Sequence, residues 1–365
     1  MPKLSAPVRR SRGLPRTLAA FALLALCGGL AHAQPAAPPP SIAPAGKAWR
    51  SGAGFQFADK EKSTRRSVSG IACAPGAARV PVCLVVFDEG MEARFAELGH
   101  GKLKPLGSGV RFAVPGKELD AEGAATDGRY FYVTGSHAVK RSDCRPNPAS
   151  RHVLRFRRDP ASGLALGGAA GSEVPAGYQQ TTRLLDLIKG DAQLRSSLDR
   201  GRCLGTGALD IEALAVRGGR LHVGLRGPTQ AGHAFIASVD AEALFGTGDA
   251  ALRVIRVPVG ERRGLRDMAV AEGGMLLLTG PDDQVDSGDA GWAIVLWNDR
   301  RQAGLPAESR TLATLDLRRV HRGACDKETK PEALALLQET ATAYRVLVLS
   351  DGMCDGAPLV FDIPR

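Results

Sequence analysis

The chain has 365 residues, 44% of them hydrophobic and 24% charged, with seven cysteines, 5% aromatic residues and a formal charge of +10. That composition excludes a disordered chain, a collagen and a coiled coil. Domain count must come from pattern, because large all-β folds run well past roughly 200 residues as one unit.

The first 33 residues read as a cleaved signal peptide. Lys3, Arg9, Arg10, Arg12 and Arg16 form a basic front, Leu18 to Leu30 an apolar run of signal length, and Ala31-His32-Ala33 a small-residue cleavage site. Arg9-Arg10 leaves twin-arginine export open beside the general route. Leu26 before Cys27 argues against a lipid anchor. No later segment reaches the ~18 uninterrupted apolar residues of a transmembrane helix, so the mature protein is expected in the periplasm or the medium. Removing the signal lowers the charge to +5 for Gln34 to Arg365, and what remains is scattered in isolated arginine pairs. Nucleic-acid binding wants a concentrated stripe with stacking aromatics, so that partner is excluded. Gln34 to Lys47, with Pro38-Pro39-Pro40, reads as an extended linker, and the folded region as 48–365.

Six cysteines remain after cleavage, an even count that points to disulfides in an exported chain. No C-x-x-C pair is present, which argues against zinc. The preferred pairs are Cys73 with Cys83, closing a hairpin, Cys144 with Cys203, both in loops beside an insertion, and Cys325 with Cys354, spanning one repeat.

Internal repetition dominates the rest. Asp210 to Arg217 and Arg220 to Pro228 are short apolar strands around Gly218-Gly219, the positive-φ turn a tight hairpin needs. The pattern recurs at Glu122–His137, Arg266–Asp282 and Pro331–Gly352, and in degenerate form at Ser69–Asp88. Where it is clean, two further strands follow: His233 to Val239 with Leu252 to Val259, and Trp292 to Trp297 with Thr311 to Leu317. Four antiparallel strands in about 50 residues, repeated, make an all-β fold of the β-propeller type. Anchor positions 69, 122, 212, 266 and 332 are 53, 90, 54 and 66 residues apart. The long step holds Leu184, Leu185, Ile188, Leu194 and Leu198 at helical spacing, a helical insertion near 178–200. Joining residues 49–68 to the short last repeat restores the regular length, so an N-terminal strand closes a ring of five four-stranded blades, or six if the long step hides another.

Hairpin geometry then places the chemistry. A straight ladder sets Glu212 opposite Leu225 and Glu122 opposite Val133. Glu122, Glu212, Arg266 and Glu332 should ring one mouth of the channel, with His137, Arg226, Asp282 and Asp351 just outside. Converging carboxylates suit a hard cation, so Glu122, Glu212 and Glu332 are candidate ligands of Ca²⁺ or another divalent ion. Arg226, Arg266 and Asp282 are candidate substrate-binding residues, and His137, Glu212 and Asp351 candidate catalytic ones. Against this stands the structural alternative that each glutamate pairs with an arginine of a neighbouring repeat.

The strings Thr126–His137, Arg151–Phe156, Asp210–Ala215, Gly224–Pro228, Gly264–Ala269 and Lys330–Leu334, in that order, resemble a bacterial secreted family, domain-of-unknown-function family 3616. The likeness covers most of residues 65–360 and implies a propeller-like fold without an activity. More distantly the chain is similar to phytase-like and lactonase-like esterase propellers, an analogy of fold. Two functions stand side by side: a metal-dependent hydrolase of phosphate or carboxylate esters, acting on a small-molecule or polymer ligand at one face, and a non-catalytic protein- or glycan-binding propeller of the cell envelope.

Overall fold

Two-residue turns and the alternation of apolar residues build the repeat. At the cleanest hairpin Arg217 pairs with Arg220 across Gly218 and Gly219, whose φ angles of 57° and 75° only glycine adopts without strain. The computed structural model describes residues 38–365 apart from 59, 117, 169–173, 200, 285–288 and 300–306; the expected signal peptide lies outside the described residues.

A short strand β1 (Ser41–Ile42) precedes the blades. The first blade is β2 (Val68–Pro75), β3 (Pro81–Phe87), β4 (Glu92–Gly99) and β5 (Lys102–Arg111). The second is β6 (Ala121–Thr126), β7 (Tyr130–Gly135), β8 (Val153–Arg157) and β9 (Gln179–Thr181). The third is β10 (Asp210–Arg217), β11 (Arg220–Gly227), β12 (His233–Asp240) and β13 (Arg253–Pro258). The fourth is β14 (Arg263–Ala271), β15 (Gly274–Pro281), β16 (Ala293–Asn298) and β17 (Glu308–Leu315). The fifth is β18 (Lys330–Glu339), β19 (Ala343–Asp351) and β20 (Leu359–Pro364). The ring therefore has five blades, and the long step between anchors holds no sixth. It holds an α-helix, Arg183–Gly190, whose Leu184, Leu185 and Ile188 are buried between the second and third blades.

Ring closure uses the chain's start, though earlier residues than the spacing suggested. Ala45 N–H donates to Val360 O (2.7 Å) and Trp49 N–H to Pro358 O (2.8 Å), so this segment runs antiparallel along β20 and fills the fourth place of the last blade. Just before it, β1 pairs parallel with β17 of the fourth blade; just after, Arg50 bridges to Lys102 of the first. One strap of about a dozen residues thus crosses three blades. Residues 51–67 instead form a loop with one helical turn, Glu61–Thr64, tied down where Arg65 holds the buried Asp355 through two hydrogen bonds (2.9 and 2.6 Å).

The core is five apolar clusters, one between each pair of neighbouring blades, because each sheet has a face to bury against the next. All three expected disulfides form: Cys73–Cys83, Cys144–Cys203 and Cys325–Cys354. Among the described residues no helix is long and apolar enough to cross a membrane.

Candidate functional site

Each innermost strand carries a β-bulge at the same place. Pairing skips one residue between Val68 and Gly70, Ala121 and Gly123, Ile211 and Ala213, Leu265 and Asp267, and Pro331 and Ala333. The skipped residues are Ser69, Glu122, Glu212, Arg266 and Glu332, the five anchors of the repeat. A bulge bends the strand and re-aims the extra side chain. Here it turns four of the five into one cavity at the channel mouth. The straight ladder expected from sequence is corrected accordingly: Leu225 faces Ile211 and Val133 faces Ala124, while the glutamates face no cross-strand residue.

The inner strands also approach closely. A Cβ on Gly123 would lie 2.8 Å from Leu214 Cβ and 3.0 Å from its backbone nitrogen, so β6 and β10 touch and carry Glu122 and Glu212 side by side. The cavity has a volume of about 1400 Å³ and is walled by the bulge residues together with Asp88, Asp120, Asp210, Asp351, Arg226 and Trp292. Its rim includes Val139–Ser142, Leu204 and Glu328–Lys330. These stretches lie beside Cys144–Cys203 and Cys325–Cys354, so two of the three disulfides pin the rim.

Charge is distributed unevenly around the mouth. On the side of the third and fourth blades, Arg266 Nη1 donates to Glu212 Oε2 (2.7 Å) and Glu332 Oε1 (2.9 Å), and Nη2 to Pro281 O (2.8 Å). Arg226 Nη1 donates to Glu212 Oε1 (3.0 Å), with Asp210 Oδ2 at 3.6 Å. Arg266, Glu212 and Glu332 are 3%, 5% and 8% exposed. Burial alone would raise the Glu212 carboxyl, but Arg266 and Arg226 outweigh it and hold the group below its ordinary range.

The other carboxyl groups at the mouth are less fully compensated, although Arg141 also borders the cavity and Arg226 faces Asp210. Burial, then the charges of Asp120, Glu212, Asp88 and Glu332, pushes the Glu122 carboxyl well above the usual range. Burial and Asp351 raise Asp88 to about 8, and burial and Glu212 raise Asp210 to about 8. Burial and Glu212 likewise keep Glu332 well above its ordinary value despite Arg266. Asp120 is raised by burial, against a hydrogen bond donated by Ser136 Oγ.

The residues singled out from sequence divide into two groups. Glu122, Glu212, Glu332, Arg226, Arg266 and Asp351 meet at the cavity, where Asp351 accepts from Lys330 Nζ at 3.4 Å. His137 and Asp282 do not. His137 is 2% exposed, its Nδ1 lies 3.1 Å from Gly135 O, and burial lowers its pKa to about 4, so it is a neutral structural ring. Asp282 is 2% exposed and accepts from Thr229 Oγ1 (2.7 Å) and Gln284 N–H (3.0 Å), which makes it a loop clip. Among the described residues no three His, Cys, Asp or Glu side chains group as metal ligands, and Arg266 bridges Glu212 and Glu332. Asp88, Asp120, Asp210 and Trp292 were missed. The repeated Asp-x-Glu of Asp120–Glu122 and Asp210–Glu212 was a legible signal for two of them. Asp88 ends its hairpin as Asp351 does: Asp88 N–H donates to Ser67 O, and Lys330 pairs with Asp351.

The sequence pattern of a family described as "Protein of unknown function (DUF3616)" matches residues 94–157 and 172–356. The chain belongs to this family. No curated protein matches the DUF3616 chain. Among solved structures it is similar to a GH43 β-1,3-galactosidase with galactodeoxynojirimycin, at 10% identity over 88% of this chain and 94% of that one, TM-score 0.45. It is also similar to a GH43 endo-arabinanase from Bacillus licheniformis, at 10% identity over 81% and 94%, TM-score 0.36. A putative hydrolase from Bacteroides ovatus ATCC 8483 aligns at 8% identity over 81% and 85%, TM-score 0.38.

Proposed function

We propose that this is an exported propeller hydrolase that breaks an acid-labile bond at the channel mouth, with Glu122 as proton donor and Glu212 as the ionised partner. One observation carries the reading: two bulge glutamates on touching strands, in one cavity, have their carboxyl groups shifted in opposite directions, Glu122 up by burial and neighbouring carboxylates and Glu212 down by Arg266 and Arg226. A carboxyl kept protonated near neutrality can protonate a leaving oxygen. A carboxylate can take the proton of the attacking water, whose hydroxyl joins the carbon left behind. Acetal cleavage asks for that pairing. Ester recognition by Arg226 and Arg266 has less support, because both guanidinium groups are already engaged by carboxylates.

A non-catalytic ligand-binding propeller is the second reading, favoured by the fixed ion pairs that tie Glu212 to Arg226 and Arg266. The two are separated by screening the purified protein on chromogenic glycosides, carboxylate esters and phosphate esters. Hydrolysis should fall by about 10²–10⁴-fold in Glu122→Gln with folding intact, and the alkaline limb of its pH profile should disappear. Turnover indifferent to that change, or none on any substrate, refutes the hydrolase reading.

A further inference from the structure

Trp292 is the one aromatic residue on the cavity wall among the described residues. Its placement is enforced from beneath. A Cβ at Gly280 would come within 2.7 Å of Trp292 Nε1, 2.8 Å of Cδ1 and 3.4 Å of Arg266 Cγ, so the five-membered edge of the indole lies on bare backbone at the end of β15, beside the arginine stem. Only glycine leaves room for that. Behind it, the ring packs on the apolar cluster between the fourth and fifth blades, and its backbone oxygen accepts from Leu315 N–H (2.9 Å). Trp292 also lines the cavity, where it is only partly buried.

The ring is not held there by hydrogen bonding, because Nε1–H is buried without an acceptor. A buried donor left unpaired is costly and calls for an explanation. A tryptophan that only filled core would be enclosed, whereas Trp292 is partly exposed on the cavity. An indole fixed at one edge against a glycine and lining a cavity of charged and polar side chains offers a ring surface on which a flat ligand with an apolar face can pack.

The surroundings narrow the ligand. Cavities of roughly 300–1,000 Å³ take a drug-sized molecule, and this one is larger. Protonated carboxyl groups both donate and accept hydrogen bonds, as hydroxyl groups do. Resting on the reading of the cavity given above, we infer that the ligand is a neutral oligosaccharide of two or more rings, one of which stacks on Trp292, the specificity-determining residue of the site.

The test titrates the full chain with neutral gluco-, galacto-, manno-, xylo- and arabino-oligosaccharides of two to six units and with the parent monosaccharides. Calorimetry and the tryptophan emission of the wild type minus that of Trp292→Phe are the readouts. At least one oligosaccharide should bind and shift the Trp292 emission, more tightly than its monosaccharide. Trp292→Ala should weaken its Kd by about tenfold, Trp292→Phe by under about threefold. Unchanged Trp292 emission at saturation, equal affinity in Trp292→Ala, or no binding by any oligosaccharide overturns the inference; the emission readout does so even if Trp292→Ala fails to fold. Binding that moves Trp292 without turnover sinks the hydrolase reading alone, whereas turnover with a silent Trp292 sinks the platform alone.

Discussion

The two ends of the channel are built from the same five strands and differ sharply in the side chains those strands present. At the mouth, bulges aim Glu122, Glu212, Arg266 and Glu332 into a large polar cavity; at the other end, a hollow of about 160 Å³ is lined by Ala72, Ala125, Ala215, Ala269 and Ala335 with aliphatic neighbours such as Leu336 and Val270. Every one of those alanines stands three residues after a bulge. Five strands converging on an axis leave little room, so the regular part of each strand takes small apolar residues. The bulge, which breaks the ladder, is where a long charged side chain can be accommodated. The repeat therefore separates packing from chemistry by position.

Breaking the mouth should have the largest effect. Arg266 bridges Glu212 and Glu332 in an enclosed network. Arg266→Ala strands two buried carboxyl groups and is expected to cost about 3–5 kcal/mol in chemical denaturation. Arg266→Met combined with Glu212→Gln should recover part of that, since it removes the uncompensated charge. A loss below about 1 kcal/mol in the single variant would mean the network is not a stabilising unit.

Much of this contrast was legible. The propeller of five or six blades, the preferred disulfide pairs, the helical insertion and the anchor positions were legible from repetition and spacing, because each repeats a local physical requirement, and the structure settles the count at five. Bulges were not legible: Glu212 was placed opposite Leu225 because a two-glycine turn fixes register only as far as the ladder stays regular. The alternative that glutamates pair with arginines of neighbouring repeats is what the mouth shows, Arg266 joining Glu212 and Glu332 across blades 54 and 66 residues apart, although the ladder alone did not say which arginine meets which glutamate. His137 and Asp282 lie off the cavity wall, because a loop position next to a mouth residue does not say which way a side chain turns. The closing strand was set too late in the chain because length arithmetic cannot tell a strap on β20 from the loop after it.

A pH series sharpens the comparison, since the carboxyl groups raised to about 8 lie at the mouth. Asp88 and Asp210, raised to about 8, keep protons in the folded state that the unfolded chain releases near 4. Their contribution is complete below about pH 4 and is lost as pH climbs to 8. His137 and His222, lowered to about 4 by burial, act in the opposite sense between 4 and 6.5 and are silent above it. From pH 6.5 to 8 the carboxyl groups act unopposed, and stability should fall by roughly 2–3 kcal/mol. Asp88→Asn with Asp210→Asn should reduce that slope, Glu122 and Glu332 keeping part of it. Stability that rises over this window would contradict the protonated mouth.

The smallest effect is expected at the apolar end. Ala215 is 3% exposed and borders the 160 Å³ hollow, which is several times the ~30 Å³ share of one water. Overpacking ordinarily costs about 1–3 kcal/mol because the added carbons have nowhere to go. Ala215→Leu can place them in the hollow, so stability should change by less than about 1 kcal/mol, and both turnover and oligosaccharide affinity should stay as in the wild type. A change in ligand affinity without a change in stability would show that the two ends communicate along β10, and the division of labour between bulge and ladder would then be incomplete.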